Sequence, residues 1–95
     1  MKIKDLIVGR NVDSLEARVI DKSEPRRVMT RFGRELTVTT AKLEDDTGSI
    51  NISLWGRDGD KVKVGDRVEI KNAFVKEFRG EKQLTLGRRG VIRVL

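Results

Sequence analysis

Cysteine and histidine are both absent from this 95-residue sequence, and each absence excludes a class of chemistry. Without cysteine the chain forms neither a disulfide nor a thiolate metal site. Without histidine it lacks the usual general base and the commonest transition-metal ligand. We also find no nucleophile next to a base and no pair of carboxylates in a plausible cleft. We therefore expect a protein that is not an enzyme and that holds no metal and no other cofactor.

Long apolar segments are missing as well. The sequence contains no signal peptide, no apolar run that could cross a membrane and no basic amphipathic helix. We therefore expect a soluble intracellular protein without a membrane partner, located in the cytoplasm and associated with the nucleoid.

Acidic residues are fewer than basic ones. The chain has 15 Asp and Glu against 21 Lys and Arg, which gives a net charge of +6. Both signs are spread along the chain, which favours a basic patch on a globular domain over a disordered basic tail. Such a patch implies an anionic partner, with nucleic acid ahead of membrane. We expect residues 1–95 to form one domain, since this length suffices for one small core.

Short segments that alternate between apolar and polar residues predict β-strands. After a helical turn at 3–9, the predicted strands cover 15–22, 36–43, 49–55, 67–78 and a fifth strand in two parts, 82–86 and 91–95. Pro25 and Gly33 bracket a long connection between the first two strands. Asp45 and Asp46 precede Thr47 and Gly48, so turn chemistry explains them better than a metal site does. The stretch 56–63 is predicted as a loop or a single helical turn.

The strand at 67–78 changes phase in its middle. Val68 and Ile70 point inward, yet Ala73 and Val75 are the next plausible inward residues. One extra residue near Asn72 restores the alternation, which predicts a β-bulge and a bend.

These elements predict an all-β fold closed into a small barrel. Five strands, strong bending, a long first connection and a short or degenerate helix between the third and fourth strands are typical of a five-stranded OB-fold barrel. An SH3-like barrel is the alternative.

Aromatic residues are scarce, with one tryptophan, three phenylalanines and no tyrosine. Trp55 falls on the polar face of its predicted strand, and Phe74 and Phe78 fall on the outward face of theirs. Exposed rings stack on unpaired bases of any sequence, so these three residues are candidate base-stacking platforms. The alternative is that the rings plug the barrel ends. Interleaved cations could hold the phosphates between stacked bases, namely Arg57, Lys71, Lys76 and Arg79.

The long connection is rich in arginine, with Arg26, Arg27, Arg31 and Arg34. In an OB-fold this connection flanks the binding cleft, so the sequence allows an arginine clamp on phosphates or bases, or a solvated loop. Phe32 at its tip either stacks on a base or folds back onto the barrel. Arg88 and Arg89 either extend the phosphate track or form a plain turn.

Residues 46–55, Asp-Thr-Gly-Ser-Ile-Asn-Ile-Ser-Leu-Trp, resemble the D-E-T-G-x-I-x-x-x-L-W segment of archaeal single-stranded DNA-binding proteins and replication protein A domains. Residues 4–6, 19–26, 65–74, 78–80 and 83–87 resemble the same family, so the match spans nearly the whole chain. The resemblance implies an OB-fold that binds single-stranded DNA, with Trp55, Phe74 and Phe78 stacking on bases.

Two departures from that family bear on these expectations. Thr85 stands where some single-domain relatives carry a further aromatic residue, so the resemblance does not supply a fourth stacking ring. Stand-alone members often carry a Gly/Arg-rich or acidic tail, which this sequence does not show. An excised domain of a longer replication protein A, or a trimmed or engineered chain, is the expectation that follows.

Three functional hypotheses follow from the residues together with the resemblance. The leading one is a non-catalytic module that binds single-stranded DNA with little sequence preference in replication, recombination and repair. The first alternative is an RNA-binding OB module, since rings stack on RNA bases equally well. The second is a protein-interaction OB domain of a larger replication or repair complex, since an exposed aromatic patch can also anchor a protein.

Overall fold

The computed structural model describes the backbone of residues 2–95 and the side chains of residues 2–86 and 89–95. Its elements are a 3-10 turn (Ile3–Asp5), β1 (Asn11–Lys22), β2 (Arg26–Met29), β3 (Glu35–Asp45), β4 (Gly48–Trp55), α1 (Asp58–Lys61), β5 (Arg67–Phe78) and β6 (Glu81–Val94). Among the described residues, no helix has the length and apolar character needed to span a membrane.

Five of the strands close into a barrel. The sheet order is β1-β5-β6-β4-β3-β2, and β1 also pairs with β3, so the ring closes through β1 and leaves β2 attached to β3 alone. The first part of β1 pairs with β5 and its last part pairs with β3, because the strand bends from one to the other. All pairings are antiparallel except β4 with β6. With α1 between the third and fourth barrel strands, this is the predicted OB-fold.

The inward faces of the strands form the core, and the predicted alternation is confirmed. Leu15, Val19, Ile52 and Leu54 are each at most 1% exposed. Burial of such side chains supplies most of the driving force for folding, at about 1.5–3 kcal/mol for each fully buried aliphatic side chain. Since the core occupies one face of each strand, the outward faces are free to carry a binding surface.

The predicted bulge lies at Asn72. Lys71 is opposite Val91 and Ala73 is opposite Leu86, so the pairing register shifts at this residue. Asn72 adopts a φ of 57°, in the left-handed region that asparagine tolerates better than most residues. Its side-chain amide donates a hydrogen bond to the backbone carbonyl of Arg89 at 3.2 Å, which ties the bulge to β6.

The structure bears on two predicted boundaries. β6 runs from Glu81 to Val94 as one strand, and its described pairing with β5 comes in two parts, 81–86 and 91–94, with the register shift opposite Asn72 between them, as the predicted interruption at 87–90 implies. The first strand begins at Asn11 rather than at residue 15. Backbone hydrogen bonds from Gly9 to Val75 and from Val75 to Arg10 extend its pairing with β5 beyond the alternating segment.

The long first connection contains structure that the sequence did not predict. Arg26–Met29 forms β2, which pairs antiparallel with β3. The chain then turns at Thr30, whose carbonyl accepts a hydrogen bond from the backbone of Gly33 at 3.0 Å, and Gly33 has a φ of 77°. The connection is therefore a β-hairpin arm on the edge of β3, which we call the basic arm (residues 26–34).

Candidate nucleic-acid interface

Trp55 and Phe74 lie on one continuous outer face of the barrel. In the ladders, Thr40 is opposite Ser53, Ser53 is beside Thr85, and Thr85 is opposite Phe74. Residues that are directly opposite share a face, and Trp55 follows Ser53 by two residues on β4. Two strand spacings, about 10 Å, separate the β4 and β5 backbones across this face. We call this surface, built from β3, β4, β6 and the second half of β5, the outer face.

The rings of the outer face are open to solvent. Trp55 is 42% exposed, Phe74 is 37% exposed and Phe78 is 56% exposed, and none belongs to the core cluster. Rings that plugged the barrel ends would pack among the aliphatic side chains. The guanidinium of Arg79 lies 5.2 Å from the centroid of the Phe78 ring, which is a cation–π contact at the β5–β6 turn.

Val38 is the cross-strand neighbour of Trp55. The two residues are opposite each other in the β3–β4 ladder, and Arg26 of β2 is opposite Val38 on its other side. Val38 is only 7% exposed although it lies outside the core cluster. The row from Arg26 through Val38 to Trp55 therefore brings a cation and the indole onto the same face, on either side of a buried valine.

The basic arm divides its arginines between two faces. Arg26 is opposite Val38 and shares the outer face with Trp55, whereas Arg27 is opposite Thr37 and points to the other side. Arg27 is also paired with Glu35 at 3.3 Å. Arg31 and Arg34 are exposed near the turn of the arm. Phe32, between them at the tip, is 90% exposed, so it does not fold back onto the barrel.

The remaining cations lie in different places. Lys76 shares an outer-face row with Gln83 of β6, and Arg57 is exposed at the start of α1, two residues after Trp55. Lys71 lies on the other side of the bulge from the rings. It is paired with Glu69 at 3.8 Å, so the structure does not bring it among the rings. Arg89 is exposed, and the side chain of Arg88 lies outside the described residues.

A polar row on the outer face was missed by the sequence analysis. Lys42, Asn51, Gln83 and Lys76 follow one another across β3, β4, β6 and β5. The amide of Gln83 donates to the hydroxyl of Ser53 at 3.0 Å, which fixes one member of the row. Alternation along β3 could have placed Lys42 on this face. Nothing local in the sequence indicates that β4 and β6 pair in parallel.

Asp45 and Asp46 serve the β3–β4 turn, as predicted. Asp45 accepts hydrogen bonds from the backbone and hydroxyl of Thr47, from the backbone of Gly48 and, at 2.8 Å, from the backbone of Ile3. Desolvation raises the pKa of Asp45, but these hydrogen bonds outweigh it and the net pKa is lowered. Asp46 pairs with Lys2 at 2.7 Å. In the described part of the chain, no group of three or more metal-ligating side chains is found.

Comparison with known proteins identifies the class of this domain. Residues 14–91 match the family model described as the OB-fold nucleic acid binding domain of the tRNA anti-codon type. The chain belongs to this family. The predicted OB-fold nucleic-acid-binding domain is therefore confirmed, and the family's description agrees with the prediction of a binding domain rather than an enzyme.

Two individual relatives show which members of the family this chain is similar to. The chain is 35% identical over 86 residues to the single-stranded DNA binding protein Ssb of Saccharolobus solfataricus, covering 90% of this chain and 57% of that protein. It is 42% identical over 92 residues to replication factor A of Methanothermobacter thermautotrophicus, covering 90% of this chain and 12% of that protein. The chain therefore spans only part of the length of these two relatives. The predicted resemblance to archaeal single-stranded DNA-binding proteins and replication protein A domains is confirmed.

A solved structure of a related protein has the same fold as this chain. The replication factor A related protein from Methanobacterium thermoautotrophicum superposes with a TM-score of 0.84 at 30% identity, and the match covers 100% of this chain and 89% of that one.

Proposed function

We propose that this chain binds single-stranded DNA with little sequence preference, in DNA replication, recombination and repair. The observation that carries the proposal is the placement of Trp55, Phe74 and Phe78 as solvent-exposed rings on a protein of net charge +6. Each base stacked on such a ring contributes about 1–3 kcal/mol and any base can stack, because every base has a π-face. The likeness to proteins named for single-stranded DNA binding and for replication factor A supports the same function.

In this proposal the rings hold the bases and the cations hold the backbone. Arg26 lies in the same cross-strand row as Trp55, with Val38 between them, Arg79 is beside Phe78, and Lys76 is opposite Gln83, so positive charge accompanies the rings along the face. Phosphate contacts of this kind release counterions and make the affinity fall with salt. The partners are single-stranded DNA and other proteins of replication or repair, and the location is the cytoplasm with the nucleoid.

Titration with oligothymidine while following Trp55 fluorescence tests the proposal. Stacking of thymine on the indole should change the emission, and the logarithm of the affinity should fall linearly with the logarithm of the salt concentration. An unchanged signal together with no binding at low salt would refute the proposed function.

RNA binding is the second candidate, and the anti-codon type of the matching family model favours it. The rings would stack on RNA bases in the same way. Competition between DNA and RNA oligomers of matched sequence decides between the two. A preference for DNA supports the main proposal, and a preference for RNA that depends on the 2′-hydroxyl supports the alternative.

A further inference from the structure

A cleft of about 380 Å³ lies at one end of the outer face, where β4 and β6 separate. Within the described residues, the parallel ladder between these strands joins Asn51–Ser53 to residues 83–85. Ser49 and Ile50 on one strand and Glu81 and Lys82 on the other line the opening beyond the ladder. Its volume falls within the range of about 300–1,000 Å³ that is usual for small-molecule sites. We call it the end cleft.

The lining of the end cleft combines three kinds of group. Ile3 and Ile50, which are 6% and 5% exposed, give it an apolar floor. Asn51 and Glu81 give it an amide and a carboxylate, and Lys42 gives it a cation. A nucleotide needs these groups, since its base has apolar faces and a polar edge and its phosphate is anionic.

The polar groups are free to take a ligand. In residues 2–86 and 89–95, Asn51 has no side-chain hydrogen bond and Lys42 and Glu81 have no ion pair, whereas the neighbouring Gln83 amide is bonded to Ser53. Lys82 donates to the carbonyl of Leu6 at 2.7 Å, so this lysine holds the N-terminal segment and its Ile3 against the cleft.

The end cleft is continuous with the rings. Glu81 is opposite Phe78 at the β5–β6 turn, so one wall adjoins the last exposed ring. A second, shallower cleft of about 270 Å³ shares Lys42 and Asn51 and extends toward Thr40 and the end of β1. A strand that passes along the outer face can therefore place one nucleotide in the end cleft without leaving the surface.

We propose that the end cleft binds one nucleotide of the strand and prefers a base with an exocyclic amino group over thymine. The base lies on Ile3 and Ile50, Asn51 and Glu81 bind its edge, and Lys42 contacts the phosphate. A carboxylate accepts a hydrogen bond from the amino group of cytosine or adenine, whereas thymine offers a carbonyl in that place. The inference rests on the proposed function and adds one base-selective position to otherwise unselective binding.

A substitution scan along the ligand tests the proposal. Oligothymidines that carry a single cytosine or adenine at each position in turn are titrated against the protein. In the wild-type protein, the amino-bearing base should raise the affinity about two- to tenfold at one end of the oligomer and not in its middle. Asn51→Ala and Glu81→Gln should each reduce this preference, which is measured for every variant as the ratio of its affinities for the substituted and the plain oligothymidine.

Matched control variants distinguish an effect of the end cleft from an effect of net charge. Glu77→Gln makes the same charge change on the same hairpin outside the cleft and should keep the preference. Lys42→Ala should lower the salt dependence by about one phosphate contact, and Lys63→Ala, outside the cleft, should not. Amide spectra of each variant confirm that the barrel is intact.

Two results would overturn the inference. One is equal affinity for the substituted oligomers at every position, and the other is a preference that persists in both Asn51→Ala and Glu81→Gln. If Trp55→Ala still weakens binding in either case, the proposed function stands and only the end cleft fails. If no oligomer binds the wild-type protein, the proposed function fails and the end cleft fails with it.

Discussion

Trp55 lies directly opposite Val38 in the β3–β4 ladder, and Val38 is 7% exposed although it lies outside the core cluster. Val38 lies on the outward side of its strand, where Trp55 and Arg26 are its two cross-strand neighbours. Val38 can therefore affect both the stability of the sheet and the position of the Trp55 ring, which is proposed to stack on DNA.

The Val38 pairing predicts that shortening the valine loosens the indole. Val38→Ala should cost about 1–2 kcal/mol of folding free energy, since it removes two buried methyl groups. It should also weaken binding of oligothymidine a few-fold, because the indole loses its support. Denaturation and fluorescence titration measure the two effects. Val28→Ala on β2, two residues after Arg26 and opposite Leu36 rather than Val38, is the control. If Val38→Ala is destabilised but binds oligothymidine as tightly as the wild type, Val38 does not position the indole for binding.

Removal of the indole itself should affect binding and spare the fold. Trp55→Ala is expected to weaken oligothymidine binding by about 1–3 kcal/mol. The barrel should persist, because the indole is 42% exposed and lies outside the core. Calorimetric titration gives the affinity without using the tryptophan signal. Trp55→Phe keeps a smaller ring, so its affinity should lie between those of the wild type and Trp55→Ala. If Trp55→Ala binds as tightly as the wild type, the indole is not part of the interface.

Arg26 and Arg27 are neighbours in sequence that should behave differently. Arg26 shares the outer face with Trp55, whereas Arg27 is on the opposite side of β2 and paired with Glu35. Arg26→Ala should therefore weaken binding and lower the salt slope by about one contact. Arg27→Ala carries the same charge change and should have little effect. Equal effects of the two substitutions would mean that net charge, rather than the face of the arm, decides affinity.

The turn at Asp45 predicts a loss of stability in acid. The folded-state pKa of Asp45 is lowered below 3.8, because the hydrogen bonds it accepts outweigh its desolvation. Its carboxylate therefore contributes stability that is fully present above the unfolded pKa and is lost as the pH falls through the folded pKa. Asp45→Ala should be less stable than the wild type at neutral pH, and the difference should narrow below about pH 4. Denaturation at several pH values measures it; a difference that is constant with pH would contradict this account.

Gly59 should tolerate no side chain. A Cβ atom at this position would lie 2.8 Å from the Cβ of Thr39 and closer still to its hydroxyl oxygen, and Thr39 is 1% exposed. Gly59→Ala should therefore destabilise the barrel by about 1–3 kcal/mol. Because α1 begins three residues after Trp55, the emission of the indole should shift as well. Gly80→Ala, where a Cβ meets nothing within 4 Å but φ is 82°, controls for backbone strain without a clash.

Local patterns in the sequence were enough to predict much of the fold. Alternation placed Leu54 inward and Trp55 outward, since a strand has a period of two whatever it pairs with. The phase change between Ile70 and Ala73 predicted the bulge for the same reason. Each of these predictions depends on residues that are close in sequence, where sterics and alternation act directly.

Only the tertiary structure decided how the strands meet. The parallel pairing of β4 with β6 sets Asn51 beside Gln83 and opens the end cleft beyond that ladder, although the two strands are separated by α1 and β5. Pairing with β3 turned the basic arm into a strand that separates Arg26 from Arg27. The sequence by itself determined on which face of its strand a side chain lies, because alternation is local. Which of those side chains become neighbours depends on register between distant segments, and closure of the whole barrel sets that register.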